Sequence, residues 1–375
     1  MSSTIAGPDK KTFAYGIDSY LEWVKREGLR VAEGISLNMF NVDTAFWPRY
    51  GVNGAVAHFT GRGDFCSMFV LDIPAGKSTT PVQHMYEAIY FVLDGRGSTQ
   101  LEFSDGRKRS FEWGPRSFFA IPLNAKYRHF NASGTDRALL CATTTAPMMM
   151  KIFHNDEFIF NAPFEFNDRT GGDEYYNGGG DLHMIRPGNN TWETNFVPDL
   201  AAIELTPWED RGAGSSNIIF ALADSIMHAH ISEIAPATYK KAHRHAGGTH
   251  VITLSGGGYS LLWYPGENEF TRVDWEYGTV FPPLEGQFHQ HFVTSNQASR
   301  YAAMALGGMR YPLMEQHRRM GLPGADGKKQ AVSLSVKEGG DQIEFEDQDP
   351  RIHAIWLEEM RKHGVIPRMD DPAKK

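Results

Sequence analysis

The chain has 375 residues, 41% hydrophobic and 12% aromatic, enough to bury a sizeable core and to divide into two domains. A net charge of −8 with acids and bases interspersed excludes the basic stripe that a nucleic-acid binder needs. No run approaches the ~18 apolar residues of a membrane span, and the two cysteines, Cys66 and Cys141, lie far apart without a CxxC partner, which excludes a disulfide framework and a thiolate zinc site.

The opening "MSSTIAGPDKKTFAYG" lacks the apolar core of a signal peptide, so the expected compartment is the cytoplasm. Ser19 and Glu22 in "DSYLEWVKREG" have capping-box spacing, with Leu21 and Val24 as apolar positions and Gly28 as a stop. This predicts a short helix within an N-terminal helical extension over 1–54. Over 55–160 the pattern changes to short runs such as "FCSMFVLDI", "AIYFVLDG" and "SFFAIPL", bounded by Gly, Pro or Asn, which read as strands of an all-β barrel or sandwich. Residues 161–216 carry "TGGDEYYNGGGD", "RPGNN" and "EDRGAGSSN", a Gly- and Asn-rich linker with little periodicity. Strands resume over 217–313 with "NIIFALADSIMHAHISEI", "HVITLSGGGYSLLWY", "GTVFPP" and "YAAMAL". The tail, 314–375, closes with a helix after Asp349-Pro350 that places Ile352, Ile355, Trp356 and Met360 on one face and Gly364 at its end.

The two β-rich halves match each other. "DIPAGKSTTPVQHMYEAIYFVLDGRGSTQ" aligns without a gap on "EIAPATYKKAHRHAGGTHVITLSGGGYSL", pairing Ile73 with Ile234, His84 with His245 and Gly95 with Gly256. Further on, "YRHFN" aligns on "HQHFV", setting Tyr127 against His289 and His129 against His291. A tandem duplication predicts that these pairs superpose.

Histidines are the chemistry-bearing feature. On a strand, residues i and i+2 share a face, so His243 and His245 can both point into a barrel, and His289 and His291 have the same parity. Two imidazoles from one strand and a third from another can converge on a divalent metal. A lone HxH also recurs by chance in loops, but two correctly spaced elements together seldom do.

Here the sequence resembles the cupin superfamily, and specifically a bicupin. The first cupin motif, a Gly and HxH followed by Glu and Gly, is met by His243, His245 and Gly256; the second, a Gly, PxG, His and Asn, is met by Gly278, Gly286 and His289. Leu284 stands where the second motif has Pro, with Pro283 one place earlier, and Asn296 comes late. Thr249 occupies the place of the metal-binding Glu. A three-histidine set without carboxylate is similar to the gentisate 1,2-dioxygenase, salicylate dioxygenase and 1-hydroxy-2-naphthoate dioxygenase group, which has a second motif comparable to "FHQH". In that group an Arg follows the HxH where Val251 stands here. The resemblance implies two tandem double-stranded β-helix (jelly-roll) barrels. Val82 and Tyr127 replace two of the histidines in the first half, so the expected metal site is in the C-terminal barrel: His243, His245 and His289 as ligands, and His291 as an acid/base group. His250 is a lesser candidate as fourth ligand, because strand alternation turns it away unless a bulge resets the parity. His228 and His230 in "MHAH" read as a structural strand element, and His84, Glu87, Tyr127 and His129 as core or a degraded second site.

The expected function is a non-haem Fe(II) ring-cleaving dioxygenase acting on an aromatic hydroxy acid or related oxygenated molecule. A neutral three-histidine site leaves room for a chelating substrate and O2 side by side. Mn, Zn, Ni or Cu are alternative metals, and a non-oxidative bicupin, a lyase, decarboxylase or isomerase using Mn, Zn or Ni as Lewis acid, is the alternative function. A storage-type bicupin has no need of three convergent imidazoles. The implied partners are a small-molecule substrate, O2 and further copies of the chain in a dimer or tetramer, with no nucleic acid and no membrane. There is no GxGxxG, P-loop or GxSxG signal.

Overall fold

The computed structural model describes residues 16–61, 65–186, 189–212, 214–245, 249–308, 310–313 and 333–371. The first helix, Ser19–Arg26, is capped by Asp18 rather than Ser19: the Asp18 carboxylate accepts the amides of Tyr20 and Leu21 at 3.0 Å each. A carboxylate satisfies two free N–H groups and meets the positive end of the helix, so it outcompetes the serine one place later. The Ser19 hydroxyl donates to the Met150 carbonyl at 2.8 Å instead. Tyr20, Trp23 and Val24 form the buried face, while Leu21, expected inside, is exposed. Gly28, at φ +67°, ends the element as read from the sequence.

Each half then builds two facing sheets. In the first half, Val52–Phe59, Ser67–Ile73, Ala138–Thr144, Ala88–Asp94 and Phe118–Ile121 run side by side in the large sheet, and Lys126–Asn131, Gly97–Glu102 and Lys108–Trp113 form the small one. In the second half, Ser216–Leu222, Met227–Ile234, Ser299–Leu306, Thr249–Ser255 and Thr279–Phe281 repeat that order, and Thr271–Trp275, Gly258–Trp263, Phe288–Val293, Ala242–His243 and Gln342–Ile343 form the small sheet. These are two tandem jelly-roll barrels in an all-β frame, the architecture that the cupin resemblance implies.

The two large sheets pack back to back. Phe59, Val70, Phe91 and Phe118 share one core with Phe220, Ile231, Ile252 and Met304. Strands such as Ser67–Ile73 are therefore buried along their whole length, one face in the barrel and one between barrels, and read as continuous apolar runs rather than alternating ones. Each large side chain so buried contributes about 1.5–3 kcal/mol. Polar ties cross the same boundary: Thr143 meets His250 at 3.1 Å, and Glu87 accepts the Ile226 amide at 2.9 Å.

Strand pairing confirms equivalent positions. Val82 bridges Tyr127 in the first half as His243 pairs with His289 in the second. A Cβ added to Gly97 would sit 2.0 Å from the Phe130 carbonyl, and one added to Gly258 would sit 2.0 Å from that of Phe292, so both barrels need glycine at the same close crossing. Pairing also reaches past the segment limits read from the sequence. Arg30–Gly34 runs parallel to Val52–Phe59, and Asn189–Thr194 runs parallel to Ser216–Leu222, so the supposed helical extension and linker both carry barrel strands. Each barrel also lends a two-residue strand to the other: Leu37–Asn38 pairs in the second, Phe196–Val197 in the first. Strands of two residues give no periodic signal.

The closing helix, Pro350–His363, is capped by Asp349 and ended by Gly364 as expected. Its Ile352, Trp356 and Met360 pack on Tyr239, Tyr259 and Phe292 of the small sheet. Both terminal helices thus bury apolar faces within the chain, so an assembly of copies would have to use other surfaces; light scattering against the 42.0 kDa of one chain is the measurement that checks it. Residues 314–332 of the tail lie outside the described residues. No helix among the described residues is long and apolar enough to cross a membrane.

Candidate metal centre

The second barrel's small sheet positions the histidines. Phe288–Val293 carries His289 and His291 on one face by strand alternation, and Ala242–His243 pairs His243 directly with His289. His245 follows just past the strand end, half-buried, with the Gly286 amide at 3.5 Å from its carbonyl. One ligand atom from each of His243, His245 and His289 lies within 4.8 Å of the other two. Their rings stand 4.1 Å apart for His243 and His289 and 4.8 Å for His245 and His289.

Burial and charge favour the metal-competent form of these imidazoles. His243 and His289 are pushed well below the ordinary histidine range, first by burial and then by neighbouring histidines and Arg211. A neutral imidazole has a lone pair to give. Nδ1 of His243 is buried with no hydrogen-bond partner, a costly state that a bound cation or an oriented partner would relieve. The donor set therefore fits a borderline divalent ion better than Mg or Ca, which prefer oxygen. Thr249, at the position of the missing Glu, places its hydroxyl 3.5 Å from Nδ1 of His245.

The remaining candidates separate cleanly. His291 stands outside the ligand cluster, its ring 5.3 Å from that of His289, and its Nδ1 meets the Ser260 hydroxyl at 2.8 Å. Trp275 donates its indole N–H to the same hydroxyl at 2.9 Å. His250 faces the other way: its Nδ1 is at Thr143 and its ring 5.2 Å from Phe59, in the seam between barrels, so alternation holds and no bulge turns it inward. His228 and His230 lie 3.0 Å apart through their ring nitrogens, opposite Ala305 and Ala303 on the neighbouring strand, and are not part of the ligand cluster. In the first barrel, His84, Tyr127 and His129 are buried in a hydrogen-bonded core, and Glu87 pairs with Arg169 at 3.0 Å.

Sequence reasoning missed two buried cations. Lys240 is 1% exposed and Arg211 4%. Lys240 donates to the Tyr301 hydroxyl at 3.5 Å, and the Tyr301 ring lies 4.7 Å from His291. Arg211 donates to the side-chain carbonyl of Gln342 at 3.1 Å, a neutral partner. Burial pushes Lys240 down to about 7 and Arg211 to about 10. Val251, in place of the Arg expected after the HxH, lines the apolar part of this interior. Positive charge enters from other segments instead.

No family model and no curated protein matches the chain. Solved structures do. Oxalate decarboxylase from Bacillus subtilis aligns over 73% of this chain and 76% of its own, with 10% identity and a TM-score of 0.47. Vicilin from Corylus avellana (hazelnut) aligns over 72% of this chain and 85% of its own, with 10% identity and a TM-score of 0.47. Vicilin from Solanum lycopersicum (tomato) covers the same shares, with 10% identity and a TM-score of 0.46. At this distance the similarity concerns the course of the chain, and the site must be read from its own residues.

Proposed function

We propose that the protein is a metal-dependent enzyme whose C-terminal barrel holds one divalent ion through His243, His245 and His289 and acts there on a small, oxygen-rich anion. The convergence of three buried or half-buried imidazoles within 4.8 Å carries this reading. When bound, such an ion supplies a Lewis acid with positions left open for substrate oxygens. The chain's own groups do the rest. Arg211 and Lys240, buried with neutral hydrogen-bond partners and no carboxylate at that distance among the described residues, favour an anion over a neutral substrate. His291, fixed at Nδ1 by Ser260 and Trp275, keeps Nε2 for exchanging a proton with substrate.

Two reaction classes follow. Non-oxidative chemistry, as in a lyase, decarboxylase or isomerase with Mn, Zn or Ni, is favoured by the grouping of Lys240, Tyr301 and His291, three proton carriers beside the centre. An Fe(II) dioxygenase acting on an aromatic hydroxy acid is favoured by the carboxylate-free donor set, which leaves the ion its full charge for a chelating substrate. Anaerobically purified protein should carry one metal per chain. Screening gentisate, salicylates, hydroxynaphthoates, hydroquinones and small dicarboxylates with an oxygen electrode and a CO2 trap separates the classes: turnover without oxygen uptake supports the first, stoichiometric uptake the second. Protein that retains no metal after incubation with Fe(II), Mn, Zn and Ni refutes both.

A further inference from the structure

The large sheet of the second half ends in an edge strand. Asp181–Arg186 pairs on one side with Asn189–Thr194, and on its other side it meets no strand among the described residues. Leu182, His183, Met184 and Ile185 are all exposed. An unpaired edge presents a row of N–H and C=O groups to any extended chain, and folded proteins usually guard it with Lys, Pro or a bulge. Here the run from Leu182 to Ile185 has neither Lys nor Pro, and the register shifts only after Met184.

Strand alternation divides the side chains. On one face His183 meets the Glu193 carboxylate at 3.2 Å, Arg310 donates to the same carboxylate at 2.7 and 2.8 Å, and Asp181 accepts the Tyr175 hydroxyl at 2.7 Å. That face is polar and its charges are partnered. On the other, Leu182 lies opposite Trp192, and Trp192 lies opposite Phe220, whose ring is 6.1 Å from the indole. Phe220 is buried in the core between the barrels, Trp192 is half-buried and Leu182 is 62% exposed. The apolar row thus begins in that core and runs off the sheet edge, with Met184, 73% exposed, beside Leu182 on the same face. A strand with one apolar face normally turns it inward. This one turns it to solvent.

A second copy of the same strand is the complementary partner. Antiparallel pairing about a two-fold axis normal to the sheet keeps both apolar faces on one side, which requires opposed residues of equal parity. Centred on His183, the pairing sets each Leu182 against Met184 of the other copy, and so prolongs the row Phe220, Trp192, Leu182 by one apolar residue. Centred on Met184, it would set Leu182 against Arg186. The first register matches apolar with apolar. The polar face accommodates it, since each central His183 keeps its own Glu193.

We propose that two copies of the chain associate through Asp181–Ile185, edge to edge and antiparallel about His183, joining their large sheets into one. The contact does not depend on the function proposed for the histidine centre. So short an edge buries less than the ~1,200 Å² of a stable complex, which sets the expected dissociation constant at about 10–100 µM.

Light scattering of the full chain from about 1 to about 300 µM tests the idea: the mass should rise from 42.0 kDa toward twice that value. Leu182→Lys and Met184→Lys, each placing a charge in the row, should weaken association about tenfold or more. Phe46→Lys, at a site on the first barrel that is also 62% exposed, should not. His183→Cys reads the register, because directly opposed Cβ atoms stand ~5 Å apart and mild oxidation should then link the copies. Phe46→Cys should give no such product, and the native Cys66 and Cys141 are buried. These substitutions sit at exposed positions and should spare the fold, which circular dichroism checks. A chain that stays at 42.0 kDa throughout overturns the proposal. A dimer that survives both edge lysine variants overturns it too, by placing the contact on another surface. If the lysine variants dissolve the dimer but His183→Cys cross-links no better than Phe46→Cys, the pairing about His183 is wrong.

Discussion

In the N-terminal barrel the Trp113 indole donates to Thr99 at 3.0 Å, and Thr99 meets Nδ1 of His129 at 2.8 Å; in the C-terminal barrel Trp275, Ser260 and His291 repeat the arrangement at 2.9 and 2.8 Å. The backbone follows suit, with the Thr79 amide on the His129 carbonyl in one barrel and the Lys240 amide on the His291 carbonyl in the other. What differs is the neighbouring position. Tyr127 closes a hydroxyl network with Tyr50, Tyr90 and His84, whereas its counterpart His289 joins His243 and His245. Hydroxyls both donate and accept and so can satisfy one another. The clustered imidazoles instead leave Nδ1 of His243 buried without a hydrogen-bond partner, a deficit that a bound cation would relieve. The duplicated frame thus supports a self-sufficient centre on one side and a dependent one on the other.

The sharpest way to break this contrast is to remove one histidine from each side. His245→Ala should reduce metal content from one per chain to a small fraction and abolish turnover, and His84→Ala should leave the metal in place; both are read by elemental analysis of folded protein. The reverse result would assign the active barrel to the wrong half. A constructive version comes next: Val82→His combined with Tyr127→His restores, beside the native His84, the three imidazoles of the second barrel. Metal content should rise toward two per chain. A folded double variant that stays at one would show that the frame alone does not set the ligand geometry.

A third test uses charge. Lys240 is held down to about 7 by burial, against ~10.4 in an unfolded chain. Between those values the folded state binds fewer protons than the unfolded one, so stability rises with pH from about 7 to about 10 and the cost is largest below 7. Lys240→Met should therefore stabilise metal-free protein by about 1–4 kcal/mol near pH 7, a gain that shrinks as pH rises. Thr79→Val, at the equivalent place in the other barrel, should show no such pH dependence. Denaturant midpoints at pH 7 and 10 decide it; an equal gain at both would mean that Lys240 does not carry the shift.

These tests rest on residues of unequal visibility in the sequence. The strands were legible because their apolar runs are bounded by Gly and Pro, and the duplication because its halves align without a gap. The clustering of His243, His245 and His289 followed from two-residue spacing read together with the cupin resemblance. Arg211 and Lys240 were not legible. Arg211 sits in the short turn Glu209–Arg211 among glycines, and Lys240 stands in "YKKAH", where nothing local distinguishes the buried lysine from Lys241, which pairs with Glu344. Their burial is a tertiary fact. The exchanged strands were hidden for a similar reason: two residues that pair across barrels leave no period to detect. The cap misread at Ser19 is a smaller case, in which two eligible residues stood side by side and the charged one won.

The smallest expected effect gives the finest comparison. Ser260→Ala removes the hydroxyl that joins Trp275 to His291, stranding two buried polar groups at a cost of about 1–3 kcal/mol. Thr99→Ala does the same to Trp113 and His129 and should cost about as much. If His291 moves protons for a substrate at the neighbouring centre, its orientation matters to rate, and Ser260→Ala should lower turnover about tenfold, with metal content and KM nearly unchanged. His129 has no such task, so Thr99→Ala should leave turnover alone. Ser260→Thr, which keeps the hydroxyl, should recover most of the rate. Equal effects of the two alanine variants on turnover would mean that the triad only holds the barrels together, and that the proton carrier must be sought at Tyr301 or Lys240.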